Sequence, residues 1–155
     1  MHIRTAAAAD RTQVLALVPR LRAFGSVPLR LPADLDAGEH RTLSRFFDSS
    51  PSPEGKHLWV AEVEAGQIAG AAYAERVRDY FTNEFHGHLG ILMVSEKAEG
   101  LGVGRALITT VEEWARANSF RYLSLNVFAG NERAKAFYER GSYQLDYLRY
   151  VKPLQ

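Results

Sequence analysis

The sequence predicts a single α/β domain with a mixed sheet, and the order of its strands carries that prediction. In the first half of the chain, two strand-like runs meet at the tight turn Ala65-Gly66, which is typical of an antiparallel hairpin. In the second half, an apolar strand passes through a glycine-rich turn into a helix, and another strand follows. Two strands joined through a helix run parallel, by a right-handed crossover. We therefore expect antiparallel N-terminal strands and a central parallel β-α-β crossover in one domain, residues 1–155.

The composition limits the possible partners. The chain has 155 residues, of which 46% are hydrophobic, and this suffices for one core. Its 19 Lys and Arg residues and 18 Asp and Glu residues are interleaved rather than gathered into a basic stripe, so we do not expect nucleic acid as a partner. The absence of cysteine excludes disulfides, a thiolate nucleophile and a Cys-type zinc site. No run has the length of a signal-peptide core or a membrane span, which predicts a cytoplasmic protein without a membrane partner.

The N-terminal third is predicted to form a strand, a helix, a loop and a second helix. Residues 2–5 are extended in pattern, and apolar residues then recur at helical spacing. Pro19 lies within that pattern and is expected to end or kink the helix. Residues 24–38 contain several structure-breaking residues and are predicted to be irregular, and Leu43 begins the apolar pattern of a short second helix.

The middle of the chain is predicted to be three antiparallel strands. Residues 57–64 and 67–78 form the hairpin, a polar and aromatic connection covers 79–84, and a further strand runs over 86–94. Small residues over 68–73 predict that another layer packs closely on the sheet, and we expect that layer to be the first helix.

The C-terminal part is predicted to be helix, strand, helix and strand. The helix after the glycine turn carries an apolar stripe, made of Val103, Leu107, Val111 and Trp114. Residues 121–128 are rich in Leu and Val and predict a strand parallel to the one at 86–94. Asn131 is placed to cap a last short helix that ends at Gly141, and residues 143–152 predict a closing strand.

The turn from Gly100 to Gly104 has the chemistry of an anion site. Glycines at 100, 102 and 104 allow close approach of a ligand and permit the positive φ of a tight turn. The first N–H groups of the helix that follows lack partners within it and carry the positive end of the helix dipole. Glycines before a helix are also ordinary turn residues, so the spacing alone leaves both interpretations open.

Two segments in order resemble the GNAT superfamily, the Gcn5-related acyl-CoA-dependent N-acetyltransferases. The family's pyrophosphate loop, Q/R-x-x-G-x-G/A, corresponds here to Glu99-Gly-Leu-Gly-Val-Gly104, followed by Arg105 and a helix. The later family segment corresponds to Asn131, Ala134, Phe137, Tyr138 and Gly141. The resemblance covers almost the whole chain. It departs from the family at Glu99, where Gln or Arg is usual, and we expect ordinary or slightly weak CoA affinity, with Arg105 offsetting the added negative charge.

The resemblance implies acetyl-CoA as co-substrate and assigns the residues that bind it. The strands at 86–94 and 121–128 would splay apart, so that backbone groups of the former contact the pantetheine arm and polarise the thioester oxygen. The implied cofactor-binding residues are Leu92, Met93, Val94, Gly100, Leu101, Gly102, Val103, Gly104, Arg105 and Asn131.

The resemblance also assigns the general acid. Tyr138 matches the family tyrosine that protonates the leaving thiolate, and it lies two helical turns after Asn131, so both can face one groove. A tyrosine on an apolar stripe is also commonly a packed aromatic residue, which is the alternative interpretation.

The general base is left open between two histidines. His86 falls where some family members carry a catalytic Glu, and His88 falls where arylalkylamine acetyltransferases carry a catalytic His. Strand alternation puts both on one face, and a histidine near its ordinary pKa of about 6.5 can relay a proton. Glu75 and Glu84 are weaker alternatives, and both histidines could also be plain surface residues. No third ligand is near in sequence, so we do not expect a metal.

The leading functional hypothesis is transfer of an acetyl group from acetyl-CoA to a primary amine of a small molecule, protein or peptide. The alternatives are a catalytically silent acyl-CoA-binding sensor and a nucleotide-binding module, the latter disfavoured because no Gly-Lys-Ser/Thr follows the glycines. The sequence leaves the acceptor open, and residues 24–38 and 79–85 are candidate walls of its site. Many relatives form dimers, which makes a homodimer an expectation from the resemblance alone.

Overall fold

The structure is a computed structural model that describes residues 1–22 and 29–154. Its strands are β1 (His2–Thr5), β2 (Lys56–Glu64), β3 (Gln67–Arg78), β4 (Phe85–Val94) and β5 (Leu123–Leu125). Its α-helices are α1 (Arg11–Ala16), α2 (Pro32–Asp48), α3 (Val103–Ala117) and α4 (Glu132–Arg140). Short 3₁₀ turns cover Ala8–Asp10, Val18–Arg22 and Glu96–Ala98.

The sheet confirms the predicted mixed topology. Its strand order is β1-β2-β3-β4-β5, with antiparallel pairing from β1 to β4 and parallel pairing between β4 and β5. The parallel ladder is short and ends where Leu89 pairs with Leu125. Beyond Leu89, the ladder of β4 continues on β3 alone, as far as the pair of Val94 and Gly70. Strands β4 and β5 therefore part halfway along β4.

A β-bulge at Gly90 shifts the alternation of side chains along β4, so that the odd-numbered residues after it point to the opposite face of the sheet. Leu89 pairs with Ala74 and Ile91 pairs with Tyr73, so Gly90 is the extra residue. Before the bulge, Leu89 packs in the cluster under α3. After it, Ile91 and Met93 pack in the cluster under α1 and α2. The histidines of β4 therefore lie on the face opposite α3.

Helices cover both faces of the sheet. Val14 of α1 and Leu43 of α2 are fully buried against one face, and α3 packs on the other through its apolar stripe. The small residues of β3 contact both helical layers. Ala71 lies in the α1 and α2 cluster, as expected, but the closest approach between β3 and a helix is to α3. A Cβ on Gly70 would come within 2.9 Å of Val103 in that helix.

The sequence misplaced the start of α2. Residues 32–38 belong to this helix, although 24–38 was predicted to be irregular, and residues 23–28 lie outside the described residues. The Asp34 carboxylate accepts a 2.7 Å hydrogen bond from the Leu31 N–H, which satisfies a free donor at the helix start. Pro32 fits there because the first turn needs no N–H from it. The proline begins the helix rather than breaking it.

The predicted closing strand at 143–152 was wrong. Residues 143–154 form neither helix nor strand, and Leu145, Tyr147 and Tyr150 are largely exposed. A strand needs a ladder partner, and β5 offers only 3 residues, since the predicted strand at 121–128 is reduced to Leu123–Leu125. The alternating pattern alone does not form a strand.

Candidate active site

The glycine turn is open on its outer side. Gly100 and Gly102 have φ of 78° and 80°, as the sequence predicted for a tight turn. A Cβ at either position would meet nothing within 4 Å. The hydrogen bond from the Ala106 N–H to the Gly102 carbonyl, at 3.0 Å, opens the ladder of α3, which leaves the N–H groups of its first turn available. The open space beside Gly100 and Gly102, next to the start of α3, is suited to a phosphate group.

Glu99 is flanked by two arginines that the sequence did not connect with it. Its carboxylate accepts a 2.5 Å hydrogen bond from Arg20 and a 2.9 Å hydrogen bond from Arg133. The Arg133 hydrogen bond first, and that of Arg20 after it, lower the pKa of Glu99 below its ordinary value, so the carboxylate is ionised at neutral pH. The expected partner, Arg105, lies against Gly141 instead.

The proposed pantetheine-contacting segment lies where β4 has lost its second neighbour. Leu92, Met93 and Val94 pair with β3 residues on one side, and the β5 ladder has already ended. Their side chains are packed: Met93 lies under α1 and α2, and Leu92 and Val94 lie against the α3 cluster. Backbone groups that face the gap are therefore the available hydrogen-bonding groups of this segment.

Tyr138 lies on α4, whose first turn is capped as predicted. The Asn131 side chain accepts a 3.0 Å hydrogen bond from the Ala134 N–H. Tyr138 packs against Phe137 and Tyr143 and joins the α3 cluster, and burial raises its pKa to about 12. Its hydroxyl has no hydrogen-bond partner in the described part of the chain and is not a buried orphan. The group can therefore donate a proton across the neutral pH range.

The histidines converge on a serine that sequence reasoning missed. The Ser124 Oγ lies 2.8 Å from His88 Nδ1 and 3.0 Å from His86 Nε2. His86 is 8% exposed, and its ring stacks on Tyr122 with a centroid distance of 4.4 Å. Burial lowers the pKa of both histidines below the ordinary value. The signal for Ser124 is its position opposite His88 in the β4–β5 ladder, which the sequence does not reveal.

Glu75 and not Glu84 lies beside the histidines. Glu75 on β3 pairs directly with His88 on β4, and the Tyr73 hydroxyl donates to its carboxylate at 3.3 Å. Lys56 Nζ lies 3.8 Å from the same carboxylate. Glu84 instead forms an exposed ion pair with Arg121.

A cavity of about 510 Å³ opens next to Glu75, between α2 and the sheet. Its lining is mostly polar and carries both signs of charge. The lining residues are Thr42, Arg45, Phe46, Asp48, Ser49, Pro53, Lys56, Tyr73 and Glu75. This volume lies within the range of small-molecule sites.

The aromatic wall expected at 79–85 is not part of this cavity. Tyr80 and Phe81 are 91% and 87% exposed, and Phe85 is covered by the guanidinium groups of Arg76 and Arg78 at 4.4 and 4.1 Å from its ring centroid. Within residues 1–22 and 29–154, no group of three or more His, Cys, Asp or Glu side chains could hold a metal. The helices of that same part of the chain are all too short or too polar to cross a membrane.

Comparisons with known proteins show the family to which this fold belongs. A model of the Acetyltransferase (GNAT) family matches residues 27–142. The chain belongs to this family.

Similar solved structures cover the full length of the chain. A mutant of the BH1408 protein from Bacillus halodurans is 24% identical, with a TM-score of 0.76 and 100% of both chains covered. An aminoglycoside antibiotic 6'-N-acetyltransferase from Acinetobacter haemolyticus is 17% identical, with a TM-score of 0.71 and 100% of both chains covered. An acetyltransferase from Trypanosoma brucei is 21% identical, with a TM-score of 0.66 and 99% of both chains covered. No curated protein matches the sequence. At these identities the likeness concerns the fold.

Proposed function

We propose that this protein transfers an acetyl group from acetyl-CoA to a primary amine of a hydrophilic small molecule or peptide. The observation that carries the proposal is the parting of β4 and β5 after Leu89, one residue beyond His88, on the strand that leads into the open glycine turn. A gap between two parallel strands, a phosphate site at one end and titratable groups at the other together suit an acyl donor with a pyrophosphate.

The co-substrate would be held mainly by backbone groups. N–H groups from Gly100 to Arg105 would bind the pyrophosphate, and the gap-facing groups of Leu92, Met93 and Val94 would bind the pantetheine arm, with Asn131 at its side. Bound acetyl-CoA supplies the activated acyl carbon. A backbone N–H in the gap would then orient and polarise the thioester oxygen.

Two side chains would move protons. His88, neutral at pH 7 because burial lowers its pKa, would take a proton from the acceptor's ammonium group. Tyr138, still protonated because burial raises its pKa to about 12, would donate to the departing thiolate. His88 lies on the face of β4 opposite α3, and Tyr138 packs against the α3 cluster, so the β4–β5 gap would have to connect them.

The acceptor would enter through the polar cavity beside α2. A lining with Arg45, Asp48, Lys56 and Glu75 suits an amine that carries further polar or charged groups, and it does not suit a purely aromatic one. A second candidate function, a silent acyl-CoA-binding module, shares the glycine turn and differs only in turnover.

Release of free CoA thiol from acetyl-CoA, with a panel of aminoglycosides, polyamines, amino acids, arylalkylamines and peptide N-termini, tests the proposal. We expect turnover with a hydrophilic member of the panel and its loss in the His88→Gln variant. Tight acetyl-CoA binding without turnover on any amine would support the silent module instead. Failure to bind acetyl-CoA would overturn both.

A further inference from the structure

The Ser124 hydroxyl has three close polar neighbours, and they determine where its proton lies. They are His88 Nδ1 at 2.8 Å, His86 Nε2 at 3.0 Å and the Gly87 carbonyl oxygen at 3.4 Å. A hydroxyl offers one donor and two acceptor positions, so it can satisfy three neighbours at once. The carbonyl can only accept, so the hydroxyl satisfies all three neighbours when its proton points to Gly87. Both histidine nitrogens must then donate to Ser124.

The alternatives satisfy fewer groups. If the hydroxyl donated to His88 Nδ1, the Gly87 carbonyl would lose this hydrogen bond. If it donated to His86 Nε2, the proton of His86 would lie on Nδ1, which is buried and without a partner among the residues described. A buried N–H without an acceptor is rare, because it loses its hydrogen bond to water and gains none in the protein. The count of satisfied groups therefore favours protons on His88 Nδ1 and His86 Nε2.

This arrangement distinguishes the two histidines, which the sequence could not. His86 is fixed by its hydrogen bond to Ser124 and its stacking on Tyr122, and its other nitrogen is sealed from solvent. His88 Nε2, in contrast, has no partner in residues 1–22 and 29–154 and is not among the buried orphans. His88 Nε2 is therefore the histidine nitrogen that is accessible to an amine substrate.

We infer that Ser124 is a positioning residue that holds His88 in its Nδ1–H tautomer and so leaves Nε2 free as the proton acceptor of the transfer reaction. The inference deepens the proposed function and rests on it. His88 then needs no tautomer change: Nε2 takes one proton from the ammonium, and the imidazolium keeps its Nδ1–H bond to Ser124. The neutral nitrogen then attacks the acyl carbon, so that the C–N bond forms and the C–S bond breaks. Tyr138 gives its proton to the departing thiolate, and the second proton lost by the nitrogen returns to the Tyr138 phenolate through water. The proton taken up at His88 Nε2 leaves to bulk water.

The charged groups around His88 are compatible with this role. Glu75 faces it from β3, with Lys56 from β2 beyond, and His86 lies on its own strand. Asp79 acts on His86 and accepts a 2.7 Å hydrogen bond from the Tyr122 hydroxyl. Glu75 favours the imidazolium that forms during transfer, and burial favours the neutral ring that precedes it.

Ring-nitrogen NMR of the full chain, with ¹⁵N-labelled histidine, tests the tautomer directly. We expect His88 to be protonated at Nδ1 in the wild-type protein and in Ser124→Thr, which keeps the hydroxyl. In Ser124→Ala, we expect a mixture of both tautomers. Thr110→Ala removes a hydroxyl that bonds only within α3 and should leave the His88 signals unchanged. A wild-type His88 protonated at Nε2, or an unchanged tautomer in Ser124→Ala, would overturn the inference.

Kinetics tests the consequence. With an amine identified, we expect Ser124→Ala to lower kcat about 10-fold, less than the 10²–10⁴ expected from loss of a general base, with KM for acetyl-CoA unchanged. The Ser124→Thr variant should keep most of the wild-type kcat. In a His88→Gln background, adding Ser124→Ala should lower kcat no further. A loss that persists in that background would overturn the link to His88. If no amine reacts, the proposed function fails, while the NMR result still decides the tautomer.

Discussion

Arg133 Nη2 donates a 2.9 Å hydrogen bond to Glu99 Oε2, and this contact joins α4 to the start of the glycine turn. Arg20 holds the other carboxylate oxygen from the 3₁₀ turn Val18–Arg22. An acid beside a phosphate site is a repulsion on its own, but Arg20 and Arg133 together offset the charge of Glu99, and Arg20 also lies 4.0 Å from the exposed Glu96 carboxylate. The unusual residue of the loop therefore brings two cations to a site where the family normally has a single Gln or Arg side chain.

The charge balance of this cluster predicts the effect of removing one arginine. Arg20→Ala should raise the Kd for acetyl-CoA about 3- to 10-fold, because Glu99 is then neutralised by Arg133 alone near the phosphates. Adding Glu99→Gln should recover most of the affinity, as measured by isothermal titration calorimetry. Arg116→Ala, which breaks an exposed pair with Glu112 near the C-terminal end of α3, is the matched control. If the double variant binds no better than Arg20→Ala, charge is not the cause.

Tyr138→Phe should lower kcat about 100-fold while the Kd for acetyl-CoA stays the same, because the phenol acts only on the leaving thiolate. Tyr143→Phe is the control, since Tyr143 packs on Tyr138 and its hydroxyl bonds Glu112 at 3.0 Å. Stopped-flow turnover and equilibrium binding separate the two quantities. Equal kcat in wild type and Tyr138→Phe across the pH range would remove Tyr138 from the mechanism.

Gly70→Ala should lower the free energy of unfolding by about 1–3 kcal/mol. The new Cβ would lie 2.8 Å from the Met93 carbonyl oxygen and 2.9 Å from Val103, so both the β4 backbone and α3 must shift. Gly130→Ala is the matched control, because a Cβ there meets nothing within 4 Å. Urea denaturation measures both, and equal midpoints for the two variants would contradict the close packing seen here.

Three histidines make the folded state sensitive to mild acid. Burial lowers the pKa of His57, His86 and His88, so the unfolded chain binds more protons once the pH falls to the ordinary value of about 6.5. Stability is therefore complete above that pH and is lost as the pH falls through the lowered folded values. Burial raises the pKa of Glu39 above its ordinary value of 4.5. Between these two pKa values the folded state binds more protons than the unfolded chain at this residue, so Glu39 adds stability as the pH falls, opposite to the histidines.

Calorimetry at about pH 7.5 and pH 5.5 should show the lower Tm at the lower pH. His57→Gln should reduce this difference, because His57 no longer contributes. His40→Gln, on the exposed side of α2, should leave the difference as it is in the wild type. A Tm that is the same at both pH values would contradict the conclusion that these histidines destabilise the folded state in mild acid.

Local patterns in the sequence predicted most of the fold. The β2–β3 hairpin, the glycine turn and the Asn131 cap depend on residues close in the chain, and each was found. Residues 32–38 were wrongly predicted to be irregular, because the role of a proline such as Pro32 depends on whether a helix follows it. The strand over 143–152 failed because a strand depends on its neighbour as much as on its own pattern.

The candidate site depended on contacts distant in sequence. Ser124 meets His88 only through the β4–β5 register, and Glu99 meets Arg20 only after the chain has folded back. The resemblance supplied the cofactor loop and the tyrosine. The resemblance did not show which histidine is accessible to the amine substrate, because that depends on the hydrogen bonds that each imidazole ring makes in the folded protein.

The packing of His57 gives this protein a built-in optical reporter. Its imidazole lies 5.3 Å from the ring of Trp59 and 5.1 Å from that of Trp114, and the chain contains 2 tryptophans in all. The tryptophan fluorescence of the folded protein therefore comes from one place, where α3 lies on the sheet. Emission will follow the docking of α3 rather than an average over the molecule.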